Sequence, residues 1–488
     1  MRITLRYLLA IPFILGIFLL LYDLGGRSIW SDEYFSYAVV FKGGFPSRVL
    51  TDIHPPMYYL LAIAFTKIGP DSLWMLRLFS VLCGIASIII GFILCRRYFG
   101  TKPGDIFILL MPLNCHLILF SRMGRYYAPL MLLILLSQLA FDRLNEKRNW
   151  FNVILYAVSL AACFYTSLTS ILIIPAHLTA AALRRKRLGY ILAGQAYASA
   201  TLLAWLPVVL KQLSAKETLS PFANDIPFSL PGFIARIVWP LYGFSFGENI
   251  PPWLWIVAIP GIIVVAVTFI WFLIKGTRRG EFTGYLVWIL IPLAILSGAI
   301  LPVGIEFLPP RAMFLLPFWL MLLAAGISRM PRHIMPIPVI VLTVVSIVGL
   351  YQYSRNAGAF HSTYIMPWAE IAHEADRLAG EGGIIVADDE SIAYYLPDDK
   401  RLRFLSILGD PDKLTHPKRR VVLVVNPRDI TPGGLLTPLL ESLSAAGYHE
   451  AETREFLVED EKTTHIKTRL LGREVSRTKK EVRLYLPN

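Results

Sequence analysis

Two adjacent acids, Asp32 and Glu33, and four arginines spread along the chain, Arg77, Arg122, Arg125 and Arg311, are the residues best suited to group-transfer chemistry. A carboxylate at a membrane edge can take the proton from an incoming hydroxyl. Guanidinium groups grip phosphate oxygens in a fork and cannot lose their charge. Together they read as a base and an anion site for moving a group that departs from a phosphate. Each also has a plainer reading. Ser31 can cap a helix running on through Tyr37, with Asp32 and Glu33 in its first turn, where acids suit the helix dipole. That position lowers a carboxylate's pKa and weakens it as a base. Arginines at span ends can snorkel to lipid headgroups. The residues alone leave both readings open.

The elements that must position these groups are apolar. The chain has 488 residues, 55% hydrophobic and only 17% charged, with mean hydropathy +0.56. Soluble domains carry about 25% charged residues, so this composition implies a polytopic α-helical membrane protein. A span needs about 20 apolar residues. Leu8 to Tyr22 is the first, read as a retained anchor because no small-residue cleavage site follows. Leu60 to Ile68 is too short to cross and reads as an interfacial helix, with Pro55 and Pro56 in its first turn. Further runs are Leu78 to Leu94, Ile106 to Phe120, Tyr127 to Phe141, Phe151 to Tyr165, Ser167 to Leu183, Ile191 to Leu210, Trp253 to Ile274, Tyr285 to Leu301, Met313 to Ile327 and Met335 to Leu350. The total is about 11 transmembrane helices.

The net charge of +13 sits largely in short loops between these runs: Arg96, Arg97 and Lys102; Arg143, Lys147 and Arg148; Arg184 to Arg187; Lys275, Arg278 and Arg279; Arg329 and Arg332. That pattern is topology rather than a nucleic-acid surface, and no nucleic-acid partner is expected. With the N-terminus cytoplasmic, all five loops fall inside, and the acidic pair and the C-terminal part fall outside. The long outer stretch from Lys211 to Pro252 holds Phe222, Phe228, Phe233, Trp239, Tyr242, Phe244 and Phe246, which read as an interfacial aromatic belt or as a flap over a site. Asn114 and His177 are the main polar intrusions into spans, with neighbouring helices expected to satisfy them.

After about residue 352 the chain changes character. Trp368 to Ala379 has helical spacing closed by Gly380. Gly383 to Ala387 and Arg420 to Val425 read as buried strands, Leu435 to Ala446 as a helix, and Tyr448 to Leu486 as antiparallel strands. Residues 353–488 are therefore expected to form a soluble α/β domain after a transmembrane domain of residues 1–352, whose first outer loop is 23–76. Asp388-Asp389-Glu390 follows a strand, where α/β folds bind ligands, and equally suits a helix start. Cys83, Cys95, Cys115 and Cys163 lie in or beside apolar runs, so no disulfide framework or metal motif is expected.

With these residues in view, the chain resembles the membrane-embedded C-type (GT-C) glycosyltransferases that use polyprenyl-phosphate sugars, a group that includes the protein O-mannosyltransferases and the lipid A aminoarabinose transferase. The resemblance rests on Trp30-Ser31-Asp32-Glu33 after the first span, then His54-Pro55-Pro56-Met57-Tyr58-Tyr59. Arg77-Leu78-Phe79-Ser80 follows, then Ser121-Arg122-Met123-Gly124-Arg125-Tyr126-Tyr127. Last is Arg311-Ala312-Met313-Phe314-Leu315-Leu316-Pro317, where Ala312 stands in the family's aromatic place.

The resemblance implies an inverting transfer of one sugar from a polyprenyl-phosphate donor to an envelope glycan, lipid or protein outside the membrane. Asp32 would be the base, with Glu33 supporting it or binding acceptor. His54, Tyr58, Arg77, Arg122, Arg125, Tyr126 and Arg311 would bind substrate, the arginines taking the lipid phosphate. Phosphate is already a competent leaving group, so neither a metal nor any other cofactor is expected. Two other functions stay open on the sequence: a transporter or flippase of a lipid-linked glycan, and an O-antigen ligase or polymerase.

Overall fold

The computed structural model describes residues 2–183, 188–214, 230–275, 281–303, 309–358, 362–397, 404–406, 419–426, 436–459, 464–466 and 479–487. The charge clusters expected at Arg184 to Arg187 and at Arg278 and Arg279, and the aromatics Phe222 and Phe228, lie outside these. The chain forms two compact units, residues 1–25 with 36–358 and residues 26–35 with 359–488. The sequence had assigned residues 26–35 wholly to the transmembrane part. In the structure they cluster with the C-terminal part.

The first unit is helical. Its helices are α1 (Arg2–Leu21), α2 (Ser31–Phe41, whose opening residues belong to the second unit), α3 (Phe45–Thr51), α4 (Met57–Thr66), α5 (Leu73–Phe99), α6 (Thr101–Leu110), α7 (Cys115–Ser121), α8 (Tyr127–Glu146) and α9 (Trp150–Phe164). There follow α10 (Ile173–Leu183), α11 (Gly189–Thr201), α12 (Leu206–Ser214), α13 (Leu230–Phe246), α14 (Trp255–Lys275), α15 (Glu281–Val303), α16 (Leu316–Ser328) and α17 (Pro336–Ser354).

Among the described residues, five helices are long and apolar enough to cross a membrane: α5, α8, α14, the 3-10 stretch from Pro309 running into α16, and α17. A sixth crossing arises if α6 and α7 count as one span bent by 52°. Shorter apolar helices include Trp150–Phe164, Leu168–Leu183 and Tyr285–Ser297. Each apolar run read from the sequence lies largely on helix, but several of these helices are shorter than a full span, and two runs are broken. Ile106 to Phe120 breaks around Pro112, which lacks the N–H a continuous helix needs, and restarts at Asn114, whose side chain accepts from Leu117 N. Ile191 to Leu210 is interrupted by a 3-10 turn at Leu202–Ala204.

The expected intrusions are satisfied by neighbours. Asn114 Nδ2 donates to Phe244 O at 2.8 Å. His177 stacks on Phe141 at 4.2 Å and hydrogen-bonds Tyr156 Oη and Gln138 Oε1. The sequence reading passed over His116, which is fully buried between Phe120 and Phe244.

The second unit holds α18 (Trp368–Ala379), α19 (Thr437–Ala445) and strands β1 (Ile384–Ala387), β2 (Phe404–Ser406), β3 (Val421–Val425), β4 (Tyr448–Leu457) and β5 (Lys479–Pro487). The sheet order is β2-β1-β3-β5-β4. β1 pairs in parallel with β2 and β3, and β5 runs antiparallel to β3 and β4. β1 and β3 are buried throughout, as unbroken aliphatic runs require when both faces are covered. Trp368, Ile371, Ala375 and Leu378 of α18 pack on one face and Leu439 and Leu443 of α19 on the other. Of the two readings of Asp388-Asp389-Glu390, the structure takes the capping one for Asp389, whose Oδ1 accepts from Ser391 N at 2.8 Å and opens a 3-10 turn. Asp388 bridges Lys480 and Asn426 N.

Helix packing in the first unit relies on close backbone approach. A Cβ on Gly326 of α16 would stand 2.6 Å from Thr268 O of α14. Helix propensity alone would make Gly326→Ala stabilising by about 1 kcal/mol. Overpacking costs about 1–3 kcal/mol and decides the sign, so this substitution is expected to lower the thermal unfolding midpoint in detergent.

Candidate active site

α2 opens at Ser31. Tyr34 N donates to Trp30 O at 2.8 Å, so the carbonyl that starts the helix is Trp30's, and Ser31 lies inside the first turn rather than capping it. Asp32 and Glu33 occupy that turn, as expected. Successive helical residues point about 100° apart, and the two acids part accordingly. Glu33 is 1% exposed, whereas Asp32 is exposed.

The arginines of the first unit divide by what they hold. Arg122 Nη1 donates to Leu19 O at 3.1 Å, and its Nη2 donates to Tyr22 O at 2.6 Å and Asp23 O at 2.9 Å. Asp23 has φ +49°, so the chain leaves α1 through a left-handed residue, and Arg122 caps the carbonyls exposed there. Three of its five N–H donors are thereby engaged with backbone. Arg77 is buried and donates from Nη1 to Leu24 O at 2.8 Å, bracing the same exit one residue further on.

Arg125 is 2% exposed. Its Nη1 donates to Ser36 Oγ at 3.0 Å, its guanidinium lies 5.6 Å from the Tyr126 ring centroid, and its carbonyl accepts from Ser80 Oγ. Tyr126 in turn packs against His54, ring centroids 4.2 Å apart. Tyr58 is buried edge-on to Tyr59. Half-buried Arg311 lies in the 3-10 stretch Pro309–Leu315 that leads into α16. The structure therefore links His54, Tyr126 and Arg125 in a run of contacts that ends at Ser36 of α2, and sets Arg77 and Arg122 on the end of α1.

One acid of this group escaped the sequence reading. Asp52 follows α3, at the start of the Asp52-Ile53-His54-Pro55-Pro56 stretch, and its Oδ2 accepts from Tyr59 Oη. Burial raises its pKa, and the charge of Arg125 and the Tyr59 hydrogen bond pull the other way. The acid-x-His-Pro-Pro spacing and an aromatic seven residues on were visible. Nothing in the sequence showed that the α4 turn would fold Tyr59 back over the carboxyl. Among the described residues no group of three or more His, Cys, Asp or Glu has metal-holding geometry.

The family model for dolichyl-phosphate-mannose-protein mannosyltransferases matches residues 53–211. No curated protein sequence matches the chain. Among solved structures, ArnT from Cupriavidus metallidurans in the apo state is similar with TM-score 0.59 at 11% identity, covering 98% of both chains. The same protein bound to undecaprenyl phosphate is similar with TM-score 0.52 at 11% identity, covering 99% of this chain and 97% of that one. The archaeal oligosaccharyltransferase AglB from Archaeoglobus fulgidus, in complex with an inhibitory peptide and a dolichol-phosphate, gives TM-score 0.50 at 11% identity over 86% of this chain and 69% of that one. The chain is a multi-pass membrane protein with the C-type glycosyltransferase fold.

Two outcomes test the local geometry. Arg122→Ala leaves the carbonyls at the end of α1 without their donors, at about 1–3 kcal/mol, and thermal unfolding should show the loss. For Asp52, the folded pKa lies above the unfolded one. Its contribution to stability is therefore complete below the ordinary carboxylate value of about 3.9 and declines as pH rises through the raised value. Asp52→Asn should remove that part of the pH slope in the unfolding midpoint, and an unaltered slope would assign it to other groups.

Proposed function

From a fold shared with C-type glycosyltransferases, we propose that this protein transfers a single sugar from a polyprenyl-phosphate donor to an envelope acceptor on the non-cytoplasmic face of the membrane. The observation that carries the reading is near full-length similarity to a structure that holds undecaprenyl phosphate, in a chain whose motif arginines are buried or braced at the ends of apolar helices. The loop charges support the orientation, with the N-terminus cytoplasmic and residues 359–488 outside.

The mechanism is an inverting displacement. The bond between the anomeric carbon and the phosphate oxygen breaks, its electron pair leaves with the lipid phosphate, and the sugar passes through an oxocarbenium-like state. The acceptor hydroxyl attacks from the opposite face and gives its proton to the Asp32 carboxylate. Glu33, buried beside Asp32 in the same turn, supports it. Arg77, Arg125 and Arg311 stabilise the charge that builds on the departing phosphate, and His54, Tyr58 and Tyr126 line the donor site. Arg122 serves mainly as the brace on α1, because most of its donors are on backbone carbonyls.

Two substitutions separate the roles. Asp32→Asn should cut sugar transfer by about 100-fold or more while undecaprenyl phosphate still binds, since general bases contribute on this scale. Arg125→Ala should weaken undecaprenyl phosphate binding about tenfold or more. Unchanged transfer by the first would place the base elsewhere, and unchanged affinity in the second would remove Arg125 from the phosphate site.

A further inference from the structure

The acidic pair is carried by a segment that clusters with the C-terminal domain. Residues 26–35 form one unit with residues 359–488. Ile29 is fully buried, and its backbone N–H donates to Tyr395 Oη at 2.7 Å, a bond between residues 366 positions apart. Trp30, 7% exposed, meets the ring of Tyr364 edge to face, centroids 4.9 Å apart and planes at 81°. Tyr395 is itself fixed. It closes the 3-10 turn Glu390–Tyr394 that Asp389 caps, and it packs against the core cluster of Trp368, Ile392 and Leu396.

We propose that the C-terminal α/β domain is a positioning element for the acidic pair, with Tyr395 and Tyr364 as its positioning residues; the inference rests on the reading of Asp32 as the base. Trp30 supplies the carbonyl that starts α2. Where Trp30 is held therefore sets where the helix begins, and a start displaced by one residue turns Asp32 by about 100°. The Tyr395 hydroxyl holds the backbone of Ile29, the Tyr364 ring holds the side chain of Trp30, and together they fix height and phase. Misplacement of a base by about 1 Å is enough to cost about 100-fold in rate. In this way the C-terminal domain governs transfer through the segment it holds.

The test uses the full chain in nanodiscs and in cells lacking the chromosomal copy. Tyr395→Phe keeps the ring and removes the hydroxyl. Tyr364→Ala removes the ring contact and serves as a second, independent variant. Hydrogen exchange of the peptide covering residues 26–35 should quicken in both, undecaprenyl phosphate affinity should stay as in wild type, and envelope glycan product per folded protein should fall tenfold or more. In an Asp32→Asn background, Tyr395→Phe should cost nothing further, because there is no base left to misplace. Unaltered exchange overturns the proposal, as does quickened exchange with undiminished product, or a loss of phosphate affinity that tracks the loss of product. Full transfer by Asp32→Asn alone would instead sink the base assignment, and the exchange result would still decide whether the domain grips the segment.

Discussion

A guanidinium cannot discharge itself, so every arginine at the edge of an apolar bundle must find oxygen. Much of the first unit follows from where three of them find it. Arg122 takes the carbonyls of Leu19, Tyr22 and Asp23, Arg77 takes that of Leu24, and Arg125 takes the hydroxyl of Ser36. The two former fix the chain as it leaves α1, and the third fixes α2 one helical turn after Asp32. The same charges that suit a phosphate thus brace the ends of the segment that holds the acids.

The bracing arginines and the acids belong to different compact units. Arg77, Arg122, Arg125 and Arg311 lie in the helical unit, with Asp52, His54, Tyr58 and Tyr126. Asp32 and Glu33 sit in a ten-residue stretch that clusters with the α/β domain. The donor phosphate and the acceptor proton are two separate tasks, one needing fixed positive charge and the other a carboxylate.

The sequence disclosed what rests on local pattern. Apolar runs became helices because nothing else can satisfy backbone groups in lipid. Aliphatic runs after residue 380 became buried strands, Gly380 closed the helix before β1, and Gly447 followed the helix before β4. Illegible were features set by tertiary contact. The three-residue strand β2 is too short to carry a period. The bend at Asn114 hides inside a continuous apolar run. The Asp52–Tyr59 bond needs the α4 turn, and the Ile29–Tyr395 bond joins the two ends of the sequence. Of the candidate site, the residue types and their order were readable; which arginine braces backbone and which unit carries the acids were not.

The central claim is that this protein catalyses sugar transfer rather than moving a lipid-linked glycan across the bilayer. Detergent removes the barrier that a carrier exists to overcome. Membranes from cells lacking the protein, solubilised in detergent and supplied with the purified chain, should therefore show one sugar added to an envelope acceptor by mass spectrometry, with one polyprenyl phosphate released per sugar. An acceptor left unmodified, or modified equally without the added protein, would contradict the account.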